Sequence, residues 1–256
     1  MTPTILFDSW TSQIEVQHVK PPRLETLFGL ITGNGWTRGV TTNPITRGQL
    51  LDSDGAPLPG VLVIPTRFNE FKNPSIHPAF TPDELDAIVD YVLAGGSLLH
   101  MTNHPPFCKD DKALAARFGI TLADEFLGVP GATICSTGLN YQSPVLAGGT
   151  VQSICAHDGC RMTIDPDNPY NPIPVASFVP DGEKERALFA LTMTPGAGRV
   201  AYTVNSGWIG DYGTNIPAWG LMPYGNNLAF ILSLLGWLLS CVPPMESVLF
   251  NPGRAN

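Results

Sequence analysis

Three short, unbroken apolar runs constrain this chain most: VLVIP from Val61 to Pro65, SLLHM from Ser97 to Met101, and RVAYTVN from Arg199 to Asn205. A strand with one wet face alternates polar and apolar residues, so continuous runs of this kind belong to a sheet covered on both faces. TILF, ending at Asp8, is a fourth and shorter run of the same type. Helical patterns lie between them. Leu24, Leu27, Phe28 and Ile31 share a face after Pro21-Pro22. Thr81 and Glu84 have capping-box spacing, Pro82 sits in the first turn, Leu85, Ile88, Val89 and Val92 share a face, and Gly95-Gly96 ends the pattern. ALAARF reads as a further helical turn stopped at Gly119.

The most apolar stretch, Leu228 to Val242, is interrupted by Ser233, Gly236 and Ser240 and falls short of the roughly 20 residues a membrane span requires. It reads as a buried closing helix over Asn227 to Leu239, and no membrane association is expected. Strands alternating with helices predict an α/β fold: an open, mostly parallel sheet with helices on both faces. From about Asp124 to Pro195 the pattern changes to short β-like runs (VQSI, PVASFV, ALFALTM) separated by prolines. The expectation is a single α/β domain over 1–256 with a β-rich insertion or cover at about 124–195. A hydrophobic content of 43% supplies the core, and Gly 26 with Pro 25 supplies the turns.

Lys+Arg 14 against Asp+Glu 22 leaves a net charge of −8 with no basic cluster, which repels phosphate backbones and argues against nucleic acid. MTPTILFDSW has neither a basic n-region nor a long apolar h-region, so a signal peptide is not expected. Five cysteines, Cys108, Cys135, Cys155, Cys160 and Cys241, form an odd set without a repeated framework. That pattern suits a reducing compartment, and a cytoplasmic location is expected.

Right-handed crossovers place the C-terminal ends of all parallel strands on one edge, where ligands of open α/β sheets bind. Every core strand ends there in polar residues: Asp8-Ser9, Thr66-Arg67 with Asn69-Glu70, Asn103-His104, and Asn205-Ser206 with Asp211. Asn, Asp and Ser also serve ordinary turns, so each residue taken alone has a purely structural reading. Arg67 and Glu70, both just past a buried strand, fit either an ion pair or a ligand clamp. His104, held between Asn103 and Pro105-Pro106, suits a general acid or base tuned by Asp8 or Asp211, or else a structural imidazole bonding a nearby carbonyl. His100, inside its strand, reads as a core residue. Trp208, Tyr212, Trp219 and Tyr224 could wall a ring-binding pocket or pack as a plug.

Other chemistries lack their motifs. Ser206 in N-S-G-W is not in a nucleophile elbow, and no histidine follows His157. Neither a dinucleotide fingerprint nor a Walker A sequence stands at a strand-to-helix junction, so no cofactor is assigned. Cys108 has only Lys109 beside it to lower its pKa. C-A-H-D-G-C from Cys155 to Cys160 has a spacing open to a metal or a small disulfide but matches no strong zinc pattern. No metal is assigned, although Asp8, His104 and Asp211 would also suit a divalent ion, which elemental analysis would reveal.

Phe7-Asp8, VLVIP, TPDELDAIVDYVLAGG, SLLHMTNHPPF, GRVAYTVNSGWIGD and NNLAFILSLLGWL together resemble class I glutamine-amidotransferase-like proteins, most nearly their ThuA-like and uncharacterised branches. The resemblance spans roughly the first 120 and last 60 residues and speaks to fold more than to chemistry. It implies a flavodoxin-like sheet. Amidotransferases of that superfamily carry a cysteine at the turn after the strand matching SLLHM, and a late histidine; here Thr102 and Asn103 occupy the turn and the late histidine is missing. The resemblance therefore implies the crevice without glutamine hydrolysis.

The leading functional expectation is an enzyme of hydrolase or lyase type acting on a small polar or carbonyl-bearing molecule. In it His104 transfers the proton, Asp8 or Asp211 orients His104, and Arg67, Asn69, Glu70, Asn103, Ser206, Trp208 and Tyr212 bind substrate. The alternative is a non-catalytic module of the same fold that binds a sugar or other small molecule, or a partner. A homo-oligomer is compatible with either.

Overall fold

The computed structural model describes residues 4–9, 24–67, 80–128, 130, 132–165, 167–170, 172–179, 186–193, 198–210 and 225–240. Its centre is five parallel strands in the order β2 (Thr37–Thr41), β1 (Thr4–Asp8), β3 (Val61–Ile64), β4 (Ser97–Met101) and β12 (Arg199–Thr203). This is the flavodoxin-like order, with its switch point between β1 and β3. The apolar runs are central because every residue of β3 and β4 is buried. Register aligns Phe7, Val63, Leu99 and Ala201 on one face, and Ile64, His100 and Tyr202 on the other.

Helices cover both faces. Phe28 of α1 (Glu25–Gly33) meets Phe7 edge-on with ring centroids 5.4 Å apart. The hydroxyl of Ser97, on the same face, donates to the Leu238 carbonyl of α5 (Asn227–Leu239) at 2.7 Å. After the single turn α2 (Arg47–Leu50), helices α3 (Pro82–Leu93) and α4 (Lys112–Arg117) lie on the opposite face and are bridged by Arg117 and Asp86. The α3 start is as its sequence predicts: Thr81 Oγ1 accepts from the Glu84 amide and Glu84 Oε2 accepts from the Thr81 amide. Its end turns on Gly95, at φ 103°. Gly96 is required for a different reason, since a Cβ there would stand 2.2 Å from the Tyr91 ring.

The sequence expectation misplaces several elements. The stretch around Gly39, which carries none of the expected strand runs, is the edge strand β2, whose TRGVT has no apolar run because most of it is solvent-exposed. VQSI is not a strand; pairing begins one residue later, at β8 (Cys155–His157), against β6 (Thr133–Cys135). The β-rich segment starts earlier, with β5 (Ile120–Phe126), which pairs β9 (Cys160–Ile164). The segment fits the expected β-rich insertion. Antiparallel β11 (Arg186–Met193) joins β12, followed outward by β10 (Ile173–Phe178) and β7 (Gly138–Leu139), and β9 with β5 joins through β11, so among the described residues the one sheet reaches ten strands. Local composition does not reveal this, because strand addition to an existing edge is decided by partners distant in sequence.

The cysteines also depart from expectation. Cys135 and Cys155, directly opposed across β6 and β8, form a disulfide, so Cys155 is not paired with Cys160. Cys108 and Cys160 are free and buried. Among the described residues, no group of His, Cys, Asp or Glu could hold a metal ion, and no helix is long and apolar enough to cross a membrane.

Candidate functional site at the strand ends

The parallel strands deliver Asp8, Arg67, Asn103, His104, Asn205 and Ser206 to one edge of the sheet. Arg67 lies at the switch point and is 2% exposed. Its Nε donates to Asp8 Oδ2 at 3.0 Å and its Nη2 to Glu84 Oε1 at 2.9 Å. The guanidinium carbon stands 3.8 Å from the centroid of the Phe80 ring, a cation–π contact made in a desolvated setting. Glu84 is the residue that sequence reasoning missed here, having been read only as a helix cap. Its Oε2 caps Thr81, while its Oε1 also accepts from the Ile45 amide at 3.2 Å. Burial works to raise its pKa, but the hydrogen bond and charge of Arg67 and the Thr81 and Ile45 amides together hold it below the usual value. A glutamate at the third helical position facing the end of the preceding strand is the signal that could have exposed this role.

Asp8 is therefore held by Arg67, not by His104. His104 is half-buried and fixed by other means: its Nδ1 lies 2.7 Å from the Pro105 carbonyl, which can only accept, so Nδ1 is the donor. Its ring stacks on Phe126 with centroids 5.4 Å apart, and Phe107 meets it edge-on at 4.7 Å. No carboxylate among the described residues contacts it. Asp211, Asn69, Glu70 and Tyr212, together with Trp219 and Tyr224, lie outside the described residues.

The remaining strand-end residues bond one another. Asn103 Oδ1 accepts from the His104 amide at 2.8 Å and from Asn205 Nδ2 at 3.3 Å, and Asn205 Oδ1 accepts from the Gly207 amide at 2.7 Å. Ser206 is buried and opens the 3-10 turn Gly207–Ile209. Trp208 within that turn is fully buried between Phe189 and Phe230, at 4.8 and 5.6 Å between centroids. It packs in the core.

Beneath the edge lies a second polar group. His100 Nε2 is 3.0 Å from Asp111 Oδ1, and both residues are fully buried. Tyr202 stands beside His100 with ring centroids 5.0 Å apart; burial and then the Asp111 charge push its phenol pKa well up. The neighbouring Cys160 thiol holds the Cys108 thiol below its ordinary value against burial, and Cys108 together with burial pushes Cys160 up. Asp111 went unnoticed in sequence because its partner lies on a strand eleven residues earlier, with a turn and a 3-10 segment between them.

No protein-family model matches this chain. No curated protein sequence matches it either. Solved structures do. The N-terminal domain of mmIFT52 superposes with a TM-score of 0.65 at 16% identity, covering 92% of this chain and 96% of that one. A putative ThuA-like protein from Bacteroides uniformis gives 0.57 at 14% identity over 93% of this chain and 91% of that one. A glutamine amidotransferase from Thermotoga maritima gives 0.53 at 13% identity over 94% and 97%. At such identities the likeness is one of fold, and the fold of this chain is the flavodoxin-like α/β fold shared by ThuA-like proteins and class I glutamine amidotransferases.

Proposed function

We propose that this chain is a non-catalytic binding or assembly module built on the amidotransferase-like fold. One observation carries this reading: the polar groups at the strand ends are turned onto one another. Asp8 and Glu84 take the guanidinium of Arg67, Asn103 takes Asn205, and the Nδ1 proton of His104 goes to a backbone carbonyl. Acid/base catalysis on a carbonyl needs a base and an oxyanion donor converging on one open point. An arginine enclosed by two carboxylates and an aromatic ring keeps only its buried Nη1 without a hydrogen-bond partner among the described residues. Thr102 and Asn103 at the turn where the amidotransferases carry their cysteine argue in the same direction.

The acid/base reading, in which a hydrolase or lyase uses His104 as its base, is favoured by one feature: the hydrogen bond to Pro105 occupies Nδ1 and leaves Nε2 without a hydrogen bond among the described residues, on a half-buried ring wedged by Phe107 and Phe126. The two readings part in a turnover assay. Purified protein and His104→Ala are incubated with glutamine, simple esters, amides and lactones, and both should release product at the rate of the buffer blank. Turnover that His104→Ala abolishes without changing the thermal melt would establish the enzyme and sink the binding reading.

A further inference from the structure

The free thiols of Cys108 and Cys160, both fully buried, come from distant parts of the sequence to one break in the sheet. β5 pairs β9 in register as far as Leu122 opposite Met162 and resumes at Phe126 opposite Cys160, so Ala123, Asp124 and Glu125 bulge opposite Arg161 alone. A bulge interrupts the ladder and re-aims side chains. Cys108, in the 3-10 turn Phe107–Lys109, enters at this bulge: its Sγ lies 3.6 Å from the Ala123 carbonyl and 3.8 Å from Asp124 Oδ1. Cys160 stands where the pairing resumes, its Sγ 3.9 Å from the Thr102 hydroxyl. The thiols are neighbours there, and Cys160 is the first influence that holds Cys108 below its ordinary value.

Cys108 also lies one side chain beneath the surface. Asp124, whose Oδ1 touches its thiol, turns Oδ2 to Lys112 Nζ at 2.7 Å, and these side chains are 59% and 37% exposed. An exposed ion pair of this kind is held by at most about 1 kcal/mol, so its rotation is a ready path to the sulfur. Among the described residues no further His, Cys, Asp or Glu completes a metal-binding group with the thiols, which leaves sulfur chemistry as their use.

We propose that Cys108 and Cys160 are a redox-active dithiol that hydrogen peroxide converts into an internal disulfide. The Cys108 thiolate attacks one peroxide oxygen, the O–O bond breaks, the departing hydroxide leaves as water with the proton the thiol gave up, and Cys108 becomes a sulfenic acid. The Cys160 sulfur then attacks the Cys108 sulfur. The S–S bond forms as the S–O bond breaks, and hydroxide leaves with the Cys160 proton as a second water. The thiols thereby lose an electron pair and the peroxide gains it; a dithiol reductant restores both by exchange. Cys108 lies on the same turn as His104 and Phe107, and Cys160 touches Thr102 where that segment leaves β4. The new bond would therefore clip the segment behind the strand ends. The dithiol stands whether the strand-end crevice binds or catalyses.

For the test, the full chain with its Cys135–Cys155 disulfide intact is treated with hydrogen peroxide, denatured in iodoacetamide and digested, and the state of each cysteine is read by mass spectrometry. A linked Cys108–Cys160 peptide should appear and should be lost on treatment with dithiothreitol. In Cys160→Ser the reaction should stop at the Cys108 sulfenic acid, which dimedone labels. In Cys108→Ser dimedone labelling of Cys160 should be at least about tenfold weaker, because a thiol pushed up in pKa has little thiolate. Asp124→Asn removes a charge that opposes the Cys108 thiolate and should speed the linkage about threefold, the effect of half a pKa unit on a mostly protonated thiol. The wild-type peptide map holds even where a variant folds poorly. Recovery of both thiols unmodified from peroxide that oxidises free cysteine in the same solution, a link from either thiol to Cys241, or dimedone labelling that prefers Cys160 would each overturn the proposal.

Discussion

Replacing Arg67 with Met tests the buried ion pair directly. Met approximates the volume of the arginine stem, so the packing loss is small, and the effect isolates the charge. In the wild type, one guanidinium at 2% exposure serves Asp8 at 0% and Glu84 at 4%. Without it, two buried carboxylates lose their shared cation. Breaking a buried pair by removing one partner destabilises by about 3–5 kcal/mol. Glu84 keeps the Ile45 and Thr81 donors, which softens its share, so a loss of about 4 kcal/mol near pH 7 is expected. The pH dependence has a definite sign. Glu84 has a folded pKa lowered from 4.5, so its stabilising contribution is complete above that value and is lost as pH falls through the folded value. In Arg67→Met burial acts without the arginine, the folded carboxylate favours a proton, and the deficit relative to wild type should shrink as pH falls from neutrality toward 4.5 and on down to the lowered wild-type value. Urea denaturation followed by far-ultraviolet circular dichroism at neutral pH and at a pH below that value measures both. A neutral-pH loss under about 1 kcal/mol, the magnitude of a solvated surface pair, or a deficit unchanged by acid would refute the reasoning.

Two further outcomes follow from the packing of the β-rich segment. Replacing Cys135 and Cys155 together by Ser removes a link across a sequence separation of 20, and loop entropy predicts a loss of about 3 kcal/mol; the wild type with reductant should melt like the variant, and equal melts with and without reductant would contradict the pairing. Asn227, fully buried, accepts from the Cys155 amide at 2.9 Å and donates to the Cys155 and Trp208 carbonyls at 2.8 and 3.3 Å, so Asn227→Ala should destabilise by about 1–3 kcal/mol in urea titration, whereas no change would mean that these bonds are readily replaced by water.

The core strands and the main helices were legible in the sequence because their signals are local. Unbroken apolar runs mark β3, β4 and β12, a capping box and facial periodicity mark α3, and their alternation implies a parallel sheet whose polar ends gather at one edge. That Asp8, Arg67, Asn103 and Asn205 would stand at one edge of the sheet followed from strand polarity alone. What they do on meeting was decided by tertiary structure. Asp8 and Arg67 are 59 residues apart, and Glu84 enters their network only because α3 begins beside the end of β3; His104 turns to a neighbouring carbonyl and two phenylalanine rings. Residue type reports which groups can ionise or bond, but pairing depends on distances and burial set by the whole chain. The same holds for β2, whose exposed sequence carries no strand signature and which is a strand because β1 lies beside it, and for Cys135, whose choice of Cys155 over the rest is made by the register of two short strands.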